Sequence, residues 1–455
     1  MENQNLYYST NLISPEVTFR EALMKGLAPD GGLYMPKHLP SVSRDELESF
    51  REKKYSEIAS QVLGKFLHEE ADRDDISGIC NEIYDFGVPI ETVDGRFNIM
   101  RLDRGPTASF KDFAALFMSR MMQHFLSLEN RHIIILTATS GDTGSAVANA
   151  FHGMKNIRVI ILFPSGEVTD IQRKQMTTLH DNIQVLAVDG KFDDCQALVK
   201  KAFMDQDLAG KHLSSANSIN IGRLLPQSVY YFWAWSRICG ETGEKVVFSV
   251  PSGNFGNLAG GLTAWQMGLP VKKFIVATNE NDEVPEYFRS GNYVPISPSR
   301  NCISSAMNVG HPSNLARIVA MFGGNMNEKG KFITEPDLGK MREIMYAVSV
   351  NDNETRETIK TCHDNSEIIL EPHGAVAWRG LEKFIESGPG FRIDEKLCCI
   401  LETAHPAKFM DEILKVRPGG IMFPESLAKV EDVPEKFTSL ENDYNIFKNF
   451  IRKYY

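Results

Sequence analysis

The chain has 455 residues, of which 42% are hydrophobic and 24% charged. That length exceeds one simple core and predicts two or three domains with the composition of a globular protein. A net charge of −10, with no basic block or Lys/Arg stripe, speaks against nucleic acid as a partner.

The first residues, MENQNLYYSTNLISPEVTF, have neither the basic n-region nor the apolar h-region of a signal peptide. No apolar run approaches the length that spans a bilayer, so no membrane partner is expected. Residues 1 to about 95 mix short helical patterns with the turn-rich stretch APDGGLYMP and predict a small, mostly helical domain. Next comes GPTASFKDF, between the strand-like FNIMRLD and the helix-like FAALFMSRMMQHFL. It puts one lysine, Lys111, at the mouth of an apolar helix. Ser109 and Asp112 have the S-x-x-D spacing of a capping box, which closes a helix start by satisfying its free N–H groups. On that pattern alone Lys111 is a solvated surface residue.

From about residue 96, short β-branched runs alternate with longer helical patterns: RHIIILTAT then TGSAVANAFHG, IRVIILFP then DIQRKQMTTLH, KVVFSVP then NLAGGLTAWQMG. The alternation predicts βαβ units and mostly parallel sheets, whose ligands sit beyond the carboxyl ends of the strands. Two strand–glycine-loop–helix junctions stand out. The first carries Ser140, Gly141, Asp142 and Thr143; the second carries Ser252, Gly253, Asn254, Phe255, Gly256 and Asn257. Glycine permits close backbone approach, and a helix start offers unpaired N–H groups and a positive dipole end. Either loop alone could merely allow a tight turn and close helix–strand packing; two such loops tilt the balance toward a ligand with more than one anionic or polar group. Neither matches G-x-G-x-x-G or the P-loop, which argues against a dinucleotide or ATP.

A third polar cluster, SSANSINIGR, holds Asn217, Ser218, Asn220 and Arg223 ahead of an aromatic helix. Two readings stay open for it: a surface loop, or a site wall whose Arg fork meets phosphate or carboxylate. A fourth stretch, LETAHPAKF, puts Thr403 at a strand end, where a hydroxyl is placed to hydrogen-bond a ligand ring. His405 before Pro406 is expected to cap a turn rather than do chemistry. The seven cysteines (Cys80, Cys195, Cys239, Cys302, Cys362, Cys398 and Cys399) form no C-x-x-C pair. That pattern predicts reduced thiols and a cytoplasmic protein. No grouping has metal-ligand spacing.

Taken in order, GPTASFKDF, TSGDTGSA, SANSINIGRLLPQ, VPSGNFGN and ETAHPAKF resemble pyridoxal-phosphate enzymes of the tryptophan-synthase-β fold (fold type II). More narrowly the chain resembles the threonine synthase family, bacterial and fungal type. TFREALMKGLAPDGGLYMP is similar to that family's leading domain, and the similarity runs from roughly residue 5 to 430. The resemblance implies an α/β fold of two mostly parallel twisted sheets flanked by helices, with a small helical N-terminal domain. It implies a division into 1–95, a large cofactor-binding unit of 96–125 and 245–455, and a small unit, 126–244, that closes over the substrate. It implies a lyase that converts O-phospho-L-homoserine and water to threonine and phosphate with pyridoxal 5'-phosphate, acting as a monomer or weak homodimer. The alternatives are another lyase of the same fold, such as a serine/threonine dehydratase, or a non-catalytic relative that binds the cofactor.

Residue by residue, Lys111 matches the lysine that carries the cofactor. Ser252 to Asn257 match its phosphate cup, and Thr403 the hydroxyl at its pyridine nitrogen. Ser140, Gly141, Asp142 and Thr143 match the loop that meets substrate and the cofactor's ring hydroxyl. Relatives outside this subgroup often carry Asn where this chain has Asp142. Asn217, Ser218, Asn220 and Arg223 match a segment on the substrate side. The chemistry requires a neutral Lys111 amine, although a free lysine has a pKa near ~10.4; burial and the positive helix end both lower it.

Overall fold

The computed structural model describes residues 5–454 except 94, 96, 130 and 389–396. The leading segment begins as an antiparallel pair, Tyr7–Ser9 with Tyr34–Pro36, followed by short helices. The first helix, Phe19–Lys25, starts at a closed capping box of Thr18 and Glu21. Helices Tyr55–Leu67 and Arg73–Ile83 pack their apolar faces on the helix that Lys111 opens. The rings of Tyr55, Tyr84 and Phe113 meet there with centroids 5.1–5.9 Å apart, and the Tyr84 hydroxyl donates to the Phe113 carbonyl at 3.0 Å. The segment therefore shares a core with the site's main helix.

Two larger sheets follow. The six-stranded sheet runs, edge to edge, Met345–Ser349, Val271–Thr278, Val246–Pro251, Cys398–Glu402, Phe97–Arg101 and Ile90–Val93. All neighbours are parallel except the last pair. The five-stranded sheet, wholly parallel, runs Thr438–Glu441, Ile183–Asp189, Ile157–Pro164, Ile133–Ala138 and Leu213–Ser215. Strands such as Ile133–Ala138 and Val246–Pro251 are buried along their whole length, as expected where helices cover both faces. Among the described residues, no helix is long and apolar enough to cross a membrane.

One segment differs from expectation. The resemblance groups the chain's end, within 245–455, with the large unit. Thr438–Glu441 is instead a strand that pairs with Ile183–Asp189 in the smaller sheet, and the final helix, Tyr444–Tyr454, packs its buried Phe447 and Ile451 onto that sheet's core. An uncovered parallel edge would leave a row of unpaired backbone groups, and the returning chain supplies their partner.

Candidate active site

Three of the five motif regions leave neighbouring strands of the large sheet. Phe97–Arg101, Cys398–Glu402 and Val246–Pro251 lie side by side and parallel. Their carboxyl ends therefore deliver GPTASFKDF, Thr403 and the Ser252–Asn257 loop to one edge. Backbone bonds join the first two: Phe110 N donates to Thr403 O at 2.9 Å, and His405 N to Ala108 O at 3.0 Å. The smaller sheet faces them with the ends of Ile133–Ala138 and Leu213–Ser215, also neighbours. Asn217 ties these two ends together, its Nδ2 donating to Ala138 O at 2.7 Å and its Oδ1 accepting Ala138 N–H at 3.3 Å.

The cavity between the sheets is lined by Lys111, Ser140, Asp142, Thr143, Asn217, Ser218, Arg223, Thr403 and the run Gly253–Asn257. Three expected residues do not line it. Gly141 lies behind the loop, Ser252 donates to Val250 O at 2.9 Å, and Asn220 is a fully buried cap. Asn220 accepts Gly222 N–H and donates to Leu23 O and Ser215 O, each at 2.9 Å. A side chain with every bond spent inward offers a ligand nothing.

The helix Lys111–Glu129 opens in a variant of the expected box. The Ser109 hydroxyl accepts Lys111 N–H at 3.3 Å, while Asp112 N–H goes to the Ser109 carbonyl at 3.0 Å. The Asp112 carboxylate turns back and accepts from the Thr107 amide at 2.8 Å, from the Thr107 hydroxyl and from the Ser109 amide. Gly105 makes this possible: a Cβ there would lie 2.5 Å from Asp112 Oδ2. Burial pushes the Asp112 carboxyl up to about 6. Lys111 thus starts the helix with 14% of its side chain exposed. Burial brings its pKa below the usual lysine range; Lys408 and Arg223 act the same way, and Asp142 and Glu371 oppose them.

The Gly253–Asn257 loop has open donors. Among the described residues no acceptor meets the backbone N–H groups of Asn254, Phe255, Gly256 and Asn257. Phe255 adopts a left-handed φ of 61° just before the helix Gly256–Gln266, which curls the amides into a nest. Asn257 accepts from the Tyr231 hydroxyl at 2.9 Å, but its buried Nδ2 has no partner. Gly253 is packed from outside, since a Cβ would sit 2.8 Å from Ala306 O. The free amides, the carboxamide, a reactive amine and the Thr403 hydroxyl fit a phosphate-bearing aldehyde such as pyridoxal phosphate.

On the substrate side, Arg223 is 3% exposed; it gives one bond to Ala216 O at 2.7 Å, and its Nε has no partner. Burial lowers its pKa to about 10. A buried guanidinium with open donors is a site for an anion.

Several neighbours went unmarked in the sequence. Asp142 accepts Gln172 Nε2 and the buried Lys408 ammonium on Oδ1, each at 2.9 Å. Burial pushes its carboxyl up, but Lys408 and Lys111 outweigh that and hold it well below the usual carboxylate range. Thr403 donates to Glu371 Oε1 at 3.3 Å, and Glu371 also accepts from the His373 and Gly374 amides at 2.7 and 3.0 Å and from His373 Nδ1. Arg317, wholly buried, donates to Asn314, Ser218, Ile219 and Tyr34. Asn314 in turn holds the Asn254 carbonyl at 2.9 Å, so Arg317 and Asn314 together link APDGGLYMP to the Ser218–Ile219 segment and the Gly253–Asn257 loop. The sequence carried one usable signal, that Lys408 lies five residues after Thr403 in a motif already singled out. His405 does cap the turn, accepting Ala407 N–H at 3.2 Å.

The fold and this site define a pyridoxal-phosphate-dependent enzyme, and the family model for "Pyridoxal-phosphate dependent enzyme" matches residues 90–401. Models for "Threonine synthase N terminus" and "Threonine synthase, C-terminal" match 6–84 and 375–451. The chain is 37% identical to the threonine synthase of Escherichia coli (strain K12) over 430 residues, 94% of this chain and 95% of that one. Among solved structures, threonine synthase from Escherichia coli superposes with a TM-score of 0.88 at 35% identity, covering 99% of this chain and all of that one. PLP-bound threonine synthase from Brucella melitensis gives 0.89 at 34%, covering 99% of each. The chain belongs to the threonine synthase family.

Proposed function

We propose that this protein converts O-phospho-L-homoserine and water to L-threonine and phosphate, with pyridoxal phosphate as its cofactor. Bound cofactor supplies the electron sink that γ-elimination of phosphate and β-addition of water both need. The open amides of Asn254 to Asn257, with Asn257 Nδ2, hold its phosphate at a helix start. Lys111 carries it, and the lowered pKa keeps the amine available in the neutral form. Once displaced by substrate, that amine takes the proton from Cα and then serves at Cβ. Arg223 is the cation that receives the substrate's phosphate. Ser140, just ahead of the helix Asp142–Phe151, and Thr143 in its first turn receive its carboxylate. Thr403 meets the ring nitrogen, its hydroxyl oriented by Glu371.

One observation carries this reading. A largely enclosed amine, a nest of open amides and an open guanidinium face the same cavity in a chain of the threonine synthase family. The test is an absorbance spectrum of the purified protein before and after adding phosphohomoserine, with phosphate release measured beside it. A spectral change with phosphate and threonine as products is expected. Turnover of serine but not phosphohomoserine would replace the reading with a dehydratase; a bound cofactor without turnover of either would replace it with a binding protein.

A further inference from the structure

Lys408 is the buried charge that the proposed chemistry leaves unused. It lies in the short turn Pro406–Phe409; its side chain is 0% exposed, and it is not among the residues lining the cavity. Its ammonium meets Asp142 Oδ1 at 2.9 Å, and the other oxygen of the same carboxylate lies 3.8 Å from the Lys111 nitrogen. Two lysines, Lys408 fully buried and Lys111 14% exposed, one from each of two chain segments of the large sheet, therefore share one carboxylate from the small sheet. Placing an ammonium out of reach of water costs several kcal/mol unless it is paired. A tie between the sheets needs one lysine and one acid; the second lysine calls for its own explanation.

The electrostatics supply one. A carboxylate within about 4–6 Å of an amine favours the charged amine. Left alone with Asp142, Lys111 would be held as an ammonium and would be a poor nucleophile. Lys408 takes the carboxylate at hydrogen-bond distance and places a like charge near Lys111. The other charged groups around the pair act from each packed element. Arg223 on Ile221–Leu224 opposes protonation of Lys111, and Glu371 at the start of Pro372–Ser387 favours it. Asp112 on Lys111–Glu129 and His405 in the same turn both feel Lys408.

We propose that Lys408 is a positioning residue that neutralises Asp142, so that Lys111 stands beside a carboxylate yet reacts as a free amine. The proposal rests on the role given to Lys111 above. That role requires the amine nitrogen to bond to an aldehyde carbon, with the aldehyde oxygen leaving as water with the two amine hydrogens.

The full-length chain, stripped of cofactor, is mixed with pyridoxal phosphate at a series of pH values, and the product is trapped with borohydride. Peptide mapping then gives the pH of half-maximal labelling at Lys111. Lys408→Met is expected to move that midpoint up by about one pH unit or more, a tenfold loss of neutral amine at a fixed pH. Lys408→Arg is expected to stay near the wild type, and adding Asp142→Asn to Lys408→Met to bring the midpoint back down. A folded Lys408→Met chain with an unmoved midpoint overturns the proposal. If that variant fails to fold, Asp142→Asn alone decides: a lowered midpoint is expected, and an unchanged or raised one overturns the proposal. A wild-type chain never labelled at Lys111 overturns the role of Lys111 itself, a different outcome from either.

Discussion

The two glycine loops look alike in sequence and differ in what they leave open. In the Gly253–Asn257 loop four successive amides have no acceptor among the described residues, and no charge stands among them. In the first loop the Thr139 hydroxyl already takes the Gly141 and Gly144 amides, at 2.9 and 2.7 Å. That loop also brings its own anion, Asp142, with two lysines gathered on it. In the proposed reading the open loop receives the phosphate, while the other, its field partly spent on an internal carboxylate, suits a weaker anion. A strand–glycine–helix junction is a potential anion site, and its neighbours decide how much of that potential remains.

Four substitutions break or sharpen this contrast, and the largest effect belongs to the residue between the loops. Lys111→Ala is expected to lower kcat by at least about 10³-fold, since base and attachment point go together; phosphate release measures it, and the attached cofactor's absorbance should vanish. Arg223→Ala should raise the KM for phosphohomoserine by about 10²-fold, the upper value for losing a charge-assisted contact, with cofactor absorbance intact. If cofactor binding collapses instead, Arg223 belongs with the phosphate cup. Asn257→Ala should weaken cofactor affinity by about tenfold, one hydrogen bond's worth, in a titration of stripped protein, and should leave the substrate KM near wild type. Thr139→Val tests the first loop's self-sufficiency. Leaving two buried amides unpaired should cost about 1–3 kcal/mol of stability in a denaturant titration, with little change in cofactor affinity.

Much of the site was legible because its parts are local. The helix start at Lys111 and the Gly253–Asn257 run could be placed from a few contiguous residues each, since helix starts and glycine turns are short-range devices; the site role of Lys111 itself came from the order of the motifs, its local pattern being that of a solvated residue. Asn220 was not, because the pattern that suggests a polar wall also suggests a cap, and only its bonds to Leu23 and Ser215 separate the two. Glu371 was invisible for the same reason in reverse, and Lys408 was marked only by its place in the motif of Thr403. A lysine or glutamate reads as solvated until packing removes the water, and for Lys408 the partner, Asp142, comes from a segment hundreds of residues away. The strand Thr438–Glu441 was missed because four residues of mixed polarity at an edge carry little periodicity.

By itself the sequence determined the alternation of strands and helices, the glycine-loop junctions and the lysine at a helix mouth, all set by hydrophobic period and local backbone chemistry. Tertiary structure decided which strands are neighbours, and therefore that three distant motifs share one edge. It also decided which charges lost their water. Protonation states follow from that loss, because the energy of a buried charge depends on partners that only the fold brings within a few ångströms. Lys111 was marked by its place in the chain; whether it stands there as an amine or an ammonium is set by Asp142 and Lys408, which only the fold brings to it.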